Sequence, residues 1–253
     1  MNKHRPFVLS LAGLDPSAGA GLLADIKTME QIGVYGLGVC TALTAQNEDG
    51  VQAIRWTDFD FVLKQLESLF QKYAIKVCKI GIVPNWQFLE KLIHYLLTYN
   101  KELKIIVDPI FRASAGFDFM PDQKSVQKHF FLLKKISLLT PNAIELRLMN
   151  PQKSTLEARA RELSHHCSIL LKGGHRKHAL GVDQLYEKGK VEAFFPQRTD
   201  LATKHGSGCV LSAAIASHLA LGKNLRAACR YAKSYISTFL KSHPGQLGWH
   251  NLG

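Results

Sequence analysis

A chain of 253 residues with 46% hydrophobic residues suffices for one α/β domain with a full core, taken here as spanning residues 1–253. Lys and Arg outnumber Asp and Glu by 32 to 20, a formal charge of +12 that draws in anionic ligands. The basic residues are dispersed and lack aromatic interleaving, which argues against nucleic acid, and the five cysteines contain no C-x-x-C pair, which argues against structural zinc or a disulfide framework.

In chain order, short apolar runs alternate with amphipathic segments, the pattern of a mostly parallel sheet covered by helices. Pro6 to Ala12 reads as a strand and Leu22 to Ile32 as a helix stopped by Gly33. Leu37 to Ala42 is a second strand, and Phe59 to Tyr73 a helix capped by Thr57 or Asp58. Lys76 to Ile82 is a strand, Asn85 to Tyr99 a helix behind Pro84, and Lys104 to Asp108 a strand ending at a proline. Phe111 to Asp122, with Gly, Ser and Pro, reads as a loop over a site. Ile136 to Thr140 and Ser168 to Lys172 are further buried strands, and Gln184 to Tyr186 with Val191 to Phe195 a hairpin. Helices over Gly208 to Leu221 and Leu225 to Lys241 complete the chain. No run reaches transmembrane length, and Phe7 to Gly13 is too short for a secretion signal, so a soluble cytoplasmic protein is expected.

Ligands of open parallel sheets bind outside the carboxyl ends of the strands, and here those ends carry polar chemistry. The first strand runs into Gly13-Leu14-Asp15-Pro16-Ser17-Ala18-Gly19-Ala20-Gly21, neither a dinucleotide fingerprint nor a P-loop. The second leads to Thr44 and Gln46, whose amide suits the edge of a polar heterocycle. Asp108 ends another strand; Asn142 and Glu145 follow the next, on one face of a helical turn; Lys172-Gly173-Gly174-His175 follows a third. His205-Gly206-Ser207-Gly208-Cys209 then opens an Ala-rich helix. Amides at such a helix start converge on one point and favour an oxyanion or phosphoryl group there. A thiol at that point is expected to be drawn toward thiolate, as a base or nucleophile.

Together these segments, with Ala24-Asp25-Ile26-Lys27-Thr28, Thr41 to Asn47, Lys79-Ile80-Gly81 and Leu139-Thr140-Pro141-Asn142, resemble the hydroxymethylpyrimidine/phosphomethylpyrimidine kinases of thiamin synthesis, within the ribokinase-like superfamily. The resemblance runs from Leu11 to about Leu221, and its most specific part is Gly-Ser-Gly-Cys, since most ribokinase-like sugar kinases carry Asp where Cys209 stands. It implies a three-layer α/β/α sandwich with a mostly parallel central sheet and a homodimer. It also implies ATP-dependent phosphorylation of a pyrimidine hydroxymethyl group, then of the monophosphate. The resemblance places Gly206, Ser207 and Gly208 around the transferring phosphoryl group and Cys209 against the acceptor hydroxyl as base or positioning group. Mg2+ would be held by Glu145 and Asp108, mostly through water; ATP would lie against Lys172, Gly174, Asn142 and Gly208; the pyrimidine would meet Ala20, Thr44, Gln46, Ile82 and Ile110. The chain departs from the family pattern at Lys204 and Val210, each a Thr in most members, at Ile82-Val83, and at Phe111-Arg112-Ala113-Ser114. Two alternatives stay open: a pyridoxal or pyridoxine kinase, and a catalytically silent ligand-binding homologue.

Overall fold

The computed structural model describes residues 5–112, 116–120, 129–174, 176, 179–197 and 203–250. Nine strands form one sheet in the order β3-β2-β1-β4-β5-β6-β7-β8-β9. They are β1 (Phe7–Leu14), β2 (Tyr35–Asn47), β3 (Gly50–Trp56), β4 (Val77–Ile80), β5 (Lys104–Val107), β6 (Leu138–Leu139), β7 (Ser168–Leu171), β8 (Asp183–Glu187) and β9 (Lys190–Phe194). Strands β2, β1, β4, β5, β6 and β7 are mutually parallel; β3 and β8 run against them at the two sides, and the edge strand β9 pairs antiparallel with β8.

Helices cover both faces. On one lie α1 (Gly21–Ile32), α7 (Ser207–Ala220) and α8 (Leu225–Lys241); on the other lie α2 (Phe59–Phe70), α3 (Trp86–Tyr99), the short α4 (Phe130–Leu133), α5 (Ala143–Met149) and α6 (Leu156–Leu163). The two-residue period of the strands divides their side chains between these layers. Leu9, Leu11, Cys78, Ile80, Ile105, Val107, Ile169 and Leu171 pack under α2, α3, α5 and α6 around the fully buried Trp86. Val8, Val77, Ile106, Leu138 and Leu170 pack under α7 and α8. This is the expected three-layer sandwich.

The alternation continues past these apolar residues. Two positions beyond Val8, Val77, Ile106, Leu138 and Leu170 stand Ser10, Lys79, Asp108, Thr140 and Lys172. A row of polar side chains therefore faces the α7 layer at the carboxyl end of the sheet. Helix α7 has ten buried residues and is apolar almost all round, so packing fixes its position firmly.

Several sequence expectations change. Strand β2 extends to Asn47 and turns into an antiparallel partner, β3, a segment to which the sequence alone assigns no element. The turn is local chemistry: Asn47 Oδ1 accepts the amides of Asp49 and Gly50 at 3.0 and 3.3 Å. Helices α4 and α6 are additional; Thr155 caps α6 by accepting from Ala158 N at 3.1 Å. Asp58 holds the N-cap position of α2, yet its side chain makes no capping bond. Asn85 does cap α3, accepting from Phe88 N at 2.8 Å. Of the expected 111–122 loop, residues 113–115, 121 and 122 lie outside the described residues, as does His175. Among the described residues no helix is long and apolar enough to cross a membrane.

Gly173 joins the sheet to the loop beyond β7. A Cβ there would lie 2.4 Å from Val182 N and O, and its amide donates to Asp183 Oδ1 at 2.8 Å. Gly173→Ala is expected to cost about 1–3 kcal/mol, lowering the urea midpoint at constant slope. An unchanged midpoint would mean that the two backbones are not in contact.

Candidate functional site

Lys79, Asp108 and Lys172 of the polar row and the N-terminus of α7 bound one cavity of about 260 Å3. Gly206 is the N-cap residue of α7, with φ of +70°. A Cβ on it would come within 2.1 Å of Gly19 O, so only glycine lets the two loops touch. Ser207 N donates to Lys204 O at 3.2 Å and Val210 N to Gly206 O at 2.9 Å. Ser207 N–H is therefore already engaged within the turn. That leaves the Gly208 and Cys209 amides in the first turn without a partner inside the helix.

On the strand side, Lys172 Nζ lies 2.6 Å from Asp108 Oδ1 and 3.7 Å from Glu145 Oε2. Thr140 Oγ1 donates to Asp108 Oδ1 at 3.1 Å, and Ser212 Oγ to Asp108 Oδ2 at 3.4 Å. Burial alone would raise the Asp108 carboxyl, but the ammonium groups of Lys172 and Lys79 hold it below its usual value. Glu145 is pushed up to about 7, chiefly by burial, with Asp108 adding repulsion and Lys172 opposing. Lys172 is raised despite its own burial, through Asp108 and Glu145. The expected Asn142–Glu145 face is a capping box at the start of α5. Asn142 Oδ1 accepts from Ile144 N and Glu145 N at 2.8 and 2.9 Å, while Glu145 Oε2 accepts from Asn142 N at 2.6 Å.

Behind Cys209 stands a pair that the sequence reading did not single out. Lys79 Nζ donates to Asp25 Oδ2 at 2.7 Å, both side chains having no exposure, and Ser10 Oγ donates to the same oxygen at 2.5 Å. A lysine inside the short apolar strand β4 was the available signal, because an ammonium is buried only with a partner. The Cys209 thiol is pushed up to about 11, mainly by burial. Lys79 draws it down, but Asp25 and Asp108 repel the thiolate. The expected drift toward thiolate is thus reversed, because desolvation and two carboxylates outweigh the helix start and one lysine.

The cavity has two further walls. Ile82, Ile110 and Phe119 supply an apolar one, with Gln46 and Ala20 beside it. Gly174, Asp183, Lys233, Ile236 and Leu240 form the other, where Lys233 Nζ donates to Asp183 Oδ2 at 2.7 Å and to the Gly181 carbonyl. Every expected site residue lines this cavity except Thr44. The Thr44 hydroxyl instead donates to Leu14 O at 2.8 Å, tying β2 to the end of β1. Asp183 and Lys233 were missed for want of a local motif, since α8 brings Lys233 from 50 residues away.

The two loops at the Gly206 contact are also joined by side chains. Asp15 Oδ2 lies 2.8 Å from His205 Nε2, and Asp15 accepts from the Ser17 hydroxyl and from the Ser17 and Ala20 amides. Burial raises Asp15, but these bonds, led by His205 and Ser17, bring it below its usual value. A carboxylate depressed on folding stabilises the protein above its unfolded pKa, and that contribution is lost as pH falls through the folded one. Wild type should therefore exceed Asp15→Asn in stability near neutrality, with the difference closing below about pH 4. Urea unfolding of both proteins across pH measures this; a gap of constant size would remove Asp15 ionisation from the account.

Known proteins provide an independent comparison. The sequence pattern of the family described as phosphomethylpyrimidine kinase matches residues 15–252. A hydroxymethylpyrimidine/phosphomethylpyrimidine kinase of Escherichia coli is 33% identical over 97% of this chain and 94% of its own. One from Staphylococcus aureus is 32% identical over 93% and 88%. The crystal structure of phosphomethylpyrimidine kinase from Clostridium difficile aligns with a TM-score of 0.76 at 30% identity, covering 92% of this chain and 98% of that one. The pyridoxal kinase of Bacillus subtilis in its ADP complex aligns with a TM-score of 0.80 at 24% identity, a likeness of fold. With its pattern matched almost from end to end, the chain belongs to the phosphomethylpyrimidine kinase family of phosphotransferases.

Proposed function

We propose that the cavity transfers the terminal phosphoryl group of ATP to the hydroxyl of hydroxymethylpyrimidine, and in a second turnover to the resulting monophosphate, for thiamin biosynthesis. The observation that carries this reading is the convergence of Lys172, Asp108 and Glu145 with the α7 N-terminus, directly beside Cys209 and an apolar wall. Phosphoryl transfer needs positioning and charge stabilisation more than covalent chemistry, and these residues supply both. Lys172 neutralises phosphate charge, and the amides of Gly208 and Cys209 receive the moving group, with Gly206 allowing the turn and Ser207 starting the helix. Asn142 and Gly174 border the nucleotide, and the pyrimidine lies against Ala20, Ile82 and Ile110 with Gln46 at its edge.

Two carboxylates that flank a lysine, with no cluster of three metal-holding side chains among the described residues, suit Mg2+ carried on the nucleotide rather than a protein-enclosed metal. Asp108 and Glu145 would hold that ion, which would supply screening of the phosphate charge. The same reading takes the enzyme as a single-domain homodimer of the cytoplasm.

A thiol raised to about 11 is largely protonated at neutral pH, so Cys209 acts by holding the acceptor hydroxyl in line. A loose transition state requires little prior deprotonation. Cys209→Ala is expected to reduce kcat by about 10²-fold, as misplacement of a reacting group does. Cys209→Ser should keep much of the activity, and above the range near pH 7 in which Glu145 titrates the wild-type rate should level off. A serine variant as slow as alanine, with a wild-type rate climbing tenfold per pH unit, would make the thiolate the base instead.

Gln46→Ala should raise the KM for the pyrimidine by about tenfold while leaving that for ATP alone, as loss of one hydrogen bond does. The assay offers hydroxymethylpyrimidine, its monophosphate and pyridoxal in parallel with ATP and Mg2+. Equal losses for both substrates would move the pyrimidine elsewhere, and turnover of pyridoxal alone would replace the assigned acceptor.

A further inference from the structure

Five basic side chains line the cavity. Four have a carboxylate partner: Lys79 meets Asp25 at 2.7 Å, Arg112 Asp118 at 3.0 Å, Lys172 Asp108 at 2.6 Å and Lys233 Asp183 at 2.7 Å. The fifth, Lys204, is 4% exposed and differs. Its ammonium donates to the carbonyl oxygens of His243 and Gly245, and among the described residues no carboxylate pairs with it. An ammonium has three N–H donors, of which two are used among the described residues. Carbonyl dipoles orient the group without cancelling its charge, and an unneutralised buried ion is costly to keep.

Its place in the chain gives that charge a use. Lys204 immediately precedes the glycine turn, its own carbonyl accepts from Ser207 N, and the next residue is held by Asp15. The backbone of His205 donates to Gln246 O at 2.9 Å, so the segment after α8 buttresses the turn from outside. Lys204 thereby lines the cavity at the approach to α7, its ammonium anchored on the carbonyls of the segment after α8.

We propose that Lys204 is a phosphoryl-oxyanion ligand of this site: its third donor and its uncompensated charge are completed by a phosphate oxygen of the bound substrates. This rests on the kinase reading above. Two sources share the chemistry, the terminal phosphate of the nucleotide and the acceptor's own phosphate in the second transfer. The lysine is a reader of charge, not only a tie to the chain end.

The test uses the full chain with Lys204→Gln, Lys204→Arg and Lys204→Met. Glutamine can still donate to the two carbonyls but carries no charge, whereas arginine keeps the charge. Glutamine and methionine are expected to lower kcat/KM by about tenfold or more, the size of a hydrogen bond to a charged group, and arginine to retain most of it. A loss with both acceptors, together with a raised KM for ATP, identifies the nucleotide phosphate. A loss confined to the monophosphate acceptor identifies the acceptor's phosphate. Glutamine equal to wild type with both acceptors, or arginine falling with glutamine, would overturn the proposal and leave a structural tie. Should methionine prevent folding, the glutamine and arginine pair still decides. Calorimetry with inorganic phosphate separates this inference from the kinase reading. If wild type turns over neither acceptor, weaker phosphate binding by Lys204→Gln still supports the ligand role, and equal binding overturns it.

Discussion

Withdrawal of ammonium groups from water is the constraint around which this molecule is organised. Lys79 on β4 and Lys172 at the end of β7 stand on one sheet face, and each is buried only because a carboxylate lies within 2.7 Å. Removing one partner of such a pair leaves an uncompensated buried charge, far more costly than removing both. The lysines therefore fix where Asp25 and Asp108 must be, and through them where α1, β5 and the start of α7 can sit. Helix α7, apolar nearly all round, has no polar stripe of its own to orient it. Its N-terminal turn is held instead by the Gly206–Gly19 approach and by His205 on Asp15.

Much of this was legible in the residues. The apolar runs of β1, β4, β5 and β7 located the sheet, since strands buried on both faces leave continuous hydrophobic stretches. Glycine-rich and polar strand ends located the cavity, because loops at that edge are the ones a ligand reaches. What escaped had physical reasons. Strand β3 is an edge strand with little burial, and its only marker was the Asp49-Gly50 turn. The Lys79–Asp25 pair joins residues 54 apart, and no local spacing signals such a contact. Thr44 occupies the correct strand, but its hydroxyl is satisfied by the backbone at Leu14.

The thiol illustrates why a helix start cannot be read alone. The dipole of α7 and the charge of Lys79 favour a thiolate, while burial and two nearby carboxylates oppose it more strongly. Neutralising the lysines for the sake of folding thus places negative charge around Cys209. Fold stability and thiol ionisation pull on the same carboxylates in opposite directions.

Glu145 carries a consequence for anyone dissecting this enzyme genetically. It is the third helical residue of α5, closing a reciprocal cap with Asn142, and it also stands within 3.7 Å of Lys172. An alanine there would uncap a seven-residue helix, unbalance a buried cation and remove the oxygen proposed above as a metal ligand in one stroke. Glutamine, also suited to the third position of a capping box, preserves the first of these while altering the other two. The pair of replacements therefore reads out what neither reports alone: how much of this residue's contribution is architecture and how much is charge.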